Sequence, residues 1–246
     1  MQHRSKKIKK SFFIILVVLI VLSGGSAIYL GNYYHSVDVE KYMNGSSEVS
    51  VEKFDKGWFF DGAGEEKALI FYPGAKVATE AYAPLVYQLA ENGVDCFLVE
   101  MPFHMAFFGM NRAEEIMQEY NYEAWYLGGH SLGGAMAANF AADYVEDHTD
   151  GIRGLLLLAA YPTKDLSTSD MSVVTVYGSE DGVLNMDKIL AGRELMPQDY
   201  KEVCIEGGNH AQFGSYGAQK GDGTAAIPAE EQWARTVEVF VGDESE

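Results

Sequence analysis

Short apolar runs alternate with helix-forming segments through most of this 246-residue chain. The run GLLLLAAY at residues 154–161 has no charged or strongly polar position, as expected of a strand buried on both faces of a sheet. Comparable runs are KALIFY, DCFLVE, AWYLGG, SVVTVYG and YKEVCIEGG. Because parallel strands need helical crossovers, the alternation predicts an α/β domain with a mostly parallel, twisted sheet and helices on both faces.

The amino terminus differs in composition from the rest. Residues 1–10 hold five lysines and arginines and no acid, and residues 12–30 read FFIILVVLIVLSGGSAIYL. A helix of that run would be roughly 28 Å long, close to the ~30 Å hydrocarbon core of a bilayer. The alternative is a cleaved signal peptide, with an apolar core ending at Leu22 and a cleavage site at Gly25-Ser26-Ala27.

We favour the membrane anchor over the cleaved signal. The predicted organisation is a basic cytoplasmic tail over 1–10, a transmembrane signal anchor over 11–30, a linker over 31–47 and the folded domain over 48–246. Because flanking positive charge stays in the cytoplasm, the folded domain is expected outside the cell membrane that the single helix spans.

The charge of the remaining chain excludes one class of partner. Residues after position 10 carry 13 of the 18 lysines and arginines against all 36 acids, so nucleic-acid binding is not expected. Cys96 and Cys204 lie in apolar runs and are predicted to be buried free thiols. No cluster has zinc-ligand spacing, and neither a metal nor an organic cofactor is predicted.

One glycine-rich turn carries the strongest chemical signal. Gly129-His130-Ser131-Leu132-Gly133 is a copy of G-x-S-x-G between the strand AWYLGG and a helical segment. That context is typical of a nucleophile elbow, where a strained turn exposes the serine hydroxyl and the glycines let strand and helix approach. The alternative is a glycine-rich turn in which Ser131 only caps the helix.

A serine nucleophile needs a base, and the base needs an orienting carboxylate. His210 follows the last strand, where a chain-ordered serine–acid–histidine triad has its base, whereas His104 precedes the serine and better suits a pocket wall. Asp181 in YGSEDG is the predicted acid, and Asp165, after the preceding strand, is its competitor.

Two amide groups are candidates for an oxyanion hole, which acyl transfer requires. They are the amide of Leu132, directly after the serine, and that of Ala75 in the loop PGAKV. Lys76 and His104 are candidate substrate contacts. The apolar stretch from Phe103 to Met110 either lines an acyl pocket or packs as core or surface.

The motifs FYPGAKV, GGHSLGG, VYGSEDG and GGNHAQFGSYG occur in this order. With them the chain resembles the α/β-hydrolase superfamily from Ala68 to Val241, in the group related to dienelactone hydrolases, and more narrowly its membrane-anchored bacterial members. The resemblance implies the α/β-hydrolase fold and a triad of Ser131, Asp181 and His210. Dienelactone hydrolases carry a cysteine in place of Ser131, a departure that favours ester hydrolysis.

These features together predict a serine hydrolase that cleaves small-molecule carboxylic esters with a small or medium acyl group. Only PTKDLSTSDM separates the fourth and fifth parallel strands, so a minimal cap is expected. The alternatives are a catalytically silent, membrane-tethered binding protein on a hydrolase scaffold, and a peptidase or thioesterase of the same fold.

Overall fold

The computed structural model describes residues 25, 31–64, 66–148 and 151–242. Their strands are β1 (Ser50–Phe54), β2 (Gly57–Asp61), β3 (Lys67–Tyr72), β4 (Asp95–Val99), β5 (Ala124–His130), β6 (Ile152–Leu158), β7 (Ser172–Gly178) and β8 (Tyr200–Ile205). Their α-helices are α1 (Glu40–Met43), α2 (Ala83–Glu91), α3 (Arg112–Glu119), α4 (Leu132–Asp147), α5 (Met186–Gly192) and α6 (Ala229–Gly242).

The eight strands form one sheet in the order β1-β2-β4-β3-β5-β6-β7-β8. The hairpin of β1 and β2 joins β4 in antiparallel fashion, and all pairs from β4 to β8 are parallel. The mostly parallel α/β sheet predicted from the apolar runs is thereby confirmed. Its carboxyl edge collects the residues that follow β3, β5, β7 and β8, where such sheets place their sites.

The two faces of the sheet are covered by different helices. In β3 the alternating side chains of Leu69 and Phe71 join the core beneath α2 and α6, while Ile70 and Tyr72 join the core beneath α3 and α4. The four side chains are fully buried, as expected of a central strand. Between β6 and β7, the described chain contains no helix, in agreement with a minimal cap.

Backbone hydrogen bonds hold the amino-terminal end of the compact unit. The compact unit starts at Tyr34, which forms a parallel bridge with Val77, and the backbone amide of Val37 donates to the carbonyl of Ser215 (2.8 Å). The polar segment 34–47, part of the range 31–47 that the sequence analysis describes as a linker, is in this compact unit and is held there by backbone hydrogen bonds.

The predicted tail over 1–10 and anchor over 11–30 lie outside the described residues, apart from Gly25. No helix formed by the described residues has the length and apolarity needed to span a bilayer. The prediction of buried thiols is correct for Cys96 and wrong for Cys204, which is exposed. Cys204 lies in β8, a strand at the sheet edge whose side chains are mostly in contact with solvent.

A polar cluster replaces hydrophobic packing at the β7–β8 edge. Arg193 binds both carboxylate oxygens of Glu202 (2.8 and 2.7 Å), and the hydroxyls of Tyr177 and Tyr200 each donate to one of them (2.9 Å). The arginine is the main cause that lowers the pKa of Glu202 to about 2. Because the pKa of the folded state lies below that of the unfolded state, ionised Glu202 stabilises the fold above about pH 4.5 and loses this effect as pH falls towards 2.

We expect Glu202→Gln to lower the free energy of unfolding by about 2 kcal/mol at pH 7, a value reduced for the half-exposed arginine. The difference from wild type should shrink by more than half at pH 3, because the glutamate of the unfolded chain is then protonated, which removes most of the linkage, while Glu202 of the folded chain is only beginning to take up its proton. Urea unfolding at pH 7 and at pH 3 measures the difference in free energy of unfolding. The control is Glu206→Gln, a change at an exposed residue. A difference that is the same at pH 3 and pH 7 would contradict the assigned charge interaction.

Candidate active site

Ser131 occupies a strained turn between β5 and α4. Its backbone has φ 53° and ψ −120°, a conformation that residues other than glycine rarely adopt. Its amide donates to the carbonyl of Leu158 (2.8 Å), which ties the turn to β6. The side chain makes no capping hydrogen bond to α4, so the alternative of a simple helix cap does not describe it. The hydroxyl stays available for other chemistry.

The glycines beside Ser131 are required by close backbone approach. A Cβ at Gly129 would overlap the carbonyl oxygen of Tyr72, and a Cβ at Gly133 would overlap those of Tyr72 and Pro73. The end of β3 therefore passes directly against the turn. Any side chain at either position would push the strand and the start of α4 apart.

Asp181 and His210 meet at the carboxyl edge of the sheet. Asp181 Oδ2 lies 2.8 Å from His210 Nδ1, and the two side chains are only 1% and 2% exposed. The other carboxylate oxygen accepts the amides of Val183 (2.9 Å) and Leu184 (2.8 Å), so the carboxylate cannot turn away. A proton on Nδ1, directed at the carboxylate, leaves the lone pair of the neutral ring on Nε2.

Ser131 and His210 line the same cavity of ≈ 250 Å³. Its wall is mostly small and apolar and includes Leu132, Ala135, Ala160, Val183 and Leu184, with Tyr161 and Asn185 as polar members. Of these wall residues only Leu132 was a candidate from the sequence, because the others lie in α4 and in the β6–β7 and β7–α5 loops at positions outside the quoted motifs. A serine hydroxyl and an imidazole thus share one small pocket.

A second histidine is packed behind the first. The rings of His130 and His210 lie 4.4 Å apart, and His130 Nδ1 is hydrogen bonded to the hydroxyl of Tyr82 (2.8 Å). Burial, and then the neighbouring His210, hold the pKa of His130 well below its usual range. His130 therefore stays neutral, and Tyr82 also accepts the amide of Gly74 (3.0 Å), which links the serine turn to the loop after β3.

Asp222 joins the loops that carry Asp181 and His210. One of its oxygens accepts the amides of Gly182 (3.1 Å) and His210 (3.2 Å), and the other accepts that of Ala211 (2.8 Å). Sequence reasoning missed this residue, because it lies in a glycine-rich loop twelve positions after the histidine and resembles an ordinary turn aspartate. The carboxylate fixes the spacing of the two loops.

The remaining predicted residues lie at different distances from the cavity. Leu132 lines it and is the first residue of α4, whose early amides have no intrahelical acceptor. Ala75 follows β3, and Ser131 follows the neighbouring parallel strand β5, so both residues lie at the carboxyl edge of the sheet. Lys76 and His104 are not among the cavity-lining residues. Asp165, the competing acid, is exposed and accepts the amide of Ser167 (2.9 Å).

Comparison with known proteins identifies the fold. The model of the family described as "Alpha/beta hydrolase family" matches residues 68–234. No curated protein matches the chain. Among solved structures, Est1E from Butyrivibrio proteoclasticus is 16% identical with a TM-score of 0.56, over 81% of this chain and 100% of that one.

Two further structures have the same fold. Carboxyl esterase 2 from the fungus Tuber melanosporum is 11% identical with a TM-score of 0.59, over 85% of this chain and 89% of that one. An esterase of Pyrobaculum calidifontis is 14% identical with a TM-score of 0.58, over 83% and 87%. Since the family match covers more than half of the chain, the chain belongs to the alpha/beta hydrolase family.

Proposed function

We propose that the protein is a serine hydrolase that cleaves carboxylic esters of small molecules through an acyl-enzyme intermediate. The observation that carries the proposal is the buried Asp181–His210 hydrogen bond beside a strained serine in a shared cavity. Solved structures of similar fold are named as esterases, which supports the same substrate class. Within the family we assign the chain to serine-bearing relatives of the dienelactone hydrolases.

In the proposed mechanism the hydroxyl of Ser131 attacks the acyl carbon while His210 Nε2 takes its proton. Asp181 holds the ring in the required tautomer and stabilises the imidazolium. His210 then gives the proton to the alcohol that leaves. In the second half of the reaction, His210 takes a proton from water, which attacks the acyl-enzyme. His210 then returns that proton to the oxygen of Ser131, so that the carboxylic acid is released and the serine is restored.

The tetrahedral anion of each step needs amide donors aimed at its oxygen. We assign the amide of Leu132 to this role, because the start of α4 has unpaired amides. We assign Ala75 as the second donor, since the hydrogen bond from Gly74 to Tyr82 holds its loop against the serine turn. Lys76 and His104 remain candidate contacts for a part of the substrate that extends beyond the cavity.

A panel of esters tests the proposal on the purified full chain. The cavity is smaller than the roughly 300–1,000 Å³ of typical ligand pockets, so acetyl and butyryl esters should be hydrolysed with a higher kcat/KM than decanoyl esters. A thioester and a peptide substrate in the same panel separate the thioesterase and peptidase alternatives. Absence of turnover on every substrate, with the fold intact, would favour the silent binding protein.

Asp222 is the residue whose change tests the positioning of the triad. In Asp222→Asn one accepting oxygen is replaced by an NH2 group, which faces backbone N–H donors and cannot accept from them. The loops that carry Asp181 and His210 are then held less tightly. We expect Asp222→Asn to lower kcat by about 100-fold, because misplacement of a catalytic group by about 1 Å has such an effect, and to leave KM within about twofold. The control is the exposed acid Asp187→Asn. An unchanged kcat in Asp222→Asn would show that the carboxylate only supports the loop.

We also propose that residues 11–30 anchor the chain in a cell membrane, with the catalytic domain outside the cytoplasm. The support is the sequence alone: a basic tail before a 19-residue apolar run. Resistance of the chain to extraction from membranes by alkaline carbonate, together with an intact amino terminus, is the expected result. A mature chain that begins near residue 27 would instead identify a cleaved signal peptide.

A further inference from the structure

An aromatic patch stands out from the acidic surface of the domain. The segment from Met101 to Asn111, MPFHMAFFGMN, contains no Asp, Glu, Lys or Arg. In it Phe103, Phe107 and Phe108 are 58%, 68% and 55% exposed, more than any other large hydrophobic side chain of the described residues. The ring of Phe108 lies 5.7 Å from that of Phe103 and 5.5 Å from that of Phe107, so the three form one aromatic patch.

The exposure of the patch does not come from a loosely held loop. Phe103 and His104 are consecutive residues with φ near +55°, which non-glycine residues adopt at a cost in stability. The turn is closed by bonds from the amide of His104 to Met101 (2.9 Å) and from that of Met105 to Pro102 (3.1 Å). A strained but well-bonded backbone that presents phenylalanines to solvent indicates a surface used for contact.

The patch lies beside the residue at which the folded domain begins. The amide of Tyr34 donates to the carbonyl of Lys76 (2.7 Å), and the amide of Lys76 donates to that of His104 (2.7 Å), next to Phe103. The apolar run of the sequence ends at Leu30, four residues before Tyr34. Four residues span at most about 14 Å, so a bilayer that holds this run lies close to Tyr34.

We infer that the aromatic patch inserts into the interfacial region of the lipid bilayer. The inference rests on the membrane anchor proposed above, and its occupant is the lipid surface. Phenylalanines are favoured at the boundary between headgroups and acyl chains, and the segment has no ionised side chain that would lose hydration there. The acidic surface elsewhere disfavours contact with anionic headgroups, so this uncharged face is the one suited to approach.

Such an orientation has a consequence for the substrate. The patch follows β4, and Ser131 follows β5; both strands run parallel to β3, so the two features share the carboxyl edge of the sheet. Contact through the patch brings this edge towards the lipid. Esters that partition into the bilayer then reach the cavity without crossing much water.

A fluorescence experiment tests the contact in the full chain reconstituted into phosphatidylcholine vesicles. In a Cys204→Ser background, which removes the exposed thiol, Phe107→Cys is labelled with an environment-sensitive fluorophore. Quenchers on the lipid acyl chains should reduce its emission more than twofold. The control is Glu123→Cys, an exposed position just before β5 at the opposite edge, which should not be quenched. An equal degree of quenching at both sites, or failure of the chain to bind vesicles, would overturn the inference.

A second variant keeps the test independent of the label. Phe103→Ser, Phe107→Ser and Phe108→Ser combined should leave turnover of a water-soluble acetyl ester within about twofold of wild type. Turnover of an ester embedded in the vesicles should fall by roughly tenfold. Equal turnover of the embedded ester by variant and wild type would contradict contact through the patch. If the wild-type protein hydrolysed neither ester, that result would count against the proposed hydrolase, and the quenching experiment would decide the contact with lipid.

Discussion

Ser131→Ala should lower kcat for acetyl ester hydrolysis by roughly 10⁴- to 10⁶-fold, because loss of a triad nucleophile leaves only binding and oxyanion stabilisation. The fold should be retained, since the hydroxyl makes no capping hydrogen bond and alanine can replace it without a clash. Steady-state kinetics of the purified variant measure the effect, and its thermal midpoint should not fall below that of wild type. Relief of backbone strain does not occur, as alanine also has a Cβ.

The control for this prediction is Ser50→Ala, an exposed serine at the start of β1. Its kcat should equal that of wild type within experimental error. If Ser131→Ala retained more than about a tenth of the wild-type kcat, another group would be the nucleophile. The strain at Ser131 would then need a different explanation.

Asp181→Asn should lower kcat by about 10⁴-fold while the cavity keeps its shape. The asparagine can still accept the amides of Val183 and Leu184 through its oxygen, which directs its NH2 group at His210 Nδ1. The histidine must then carry its proton on Nε2, where it cannot take one from the serine. The variant is isosteric, so the loss measures tautomer control and not a cavity.

Asp165→Asn is the matched control for the acid, since Asp165 was its competitor in the sequence and is exposed in the structure. Its kcat should not change. A large loss in Asp165→Asn together with full activity in Asp181→Asn would exchange the two assignments and would require a rearranged site.

The sheet was largely predictable from sequence because central parallel strands are apolar on both faces. The run KALIFY has the same bounds as β3, and the runs around Cys96 and Leu156 correspond to β4 and β6. Edge strands are less clear, because only one face or none is buried. Cys204 illustrates this: its strand β8 has an apolar pattern but a solvent-exposed edge.

Helix starts were harder to predict than strands. Thr79 has a side chain typical of a helix N-cap, yet it is buried inside a short 3-10 turn, Thr79–Tyr82, and α2 starts only at Ala83. Pro84, in the first turn of α2, has no amide to donate and suits that later start. Local patterns do not resolve such a boundary, because tertiary burial of the turn decides it.

Some residues of the candidate site could be predicted from the sequence and others could not. Ser131, Asp181 and His210 could be chosen from motif context and from their order after successive strands. Asp222 and the Tyr82–His130 pair could not, because their roles consist of hydrogen bonds between segments distant in the sequence. Residues of this kind determine how accurately the site is held. Their identity follows from the geometry of the folded loops and not from any local signature.

The most direct test of the central claim is covalent labelling of the full chain with a fluorophosphonate, followed by mass spectrometry of its peptides. The reagent reacts with a serine only when a base activates its hydroxyl. We predict one adduct per chain, on the peptide that contains Ser131, with no adduct in Ser131→Ala and little in His210→Ala. An adduct that persists in Ser131→Ala, or an active wild-type chain that takes up no label, would contradict the assignment of Ser131 as the activated nucleophile.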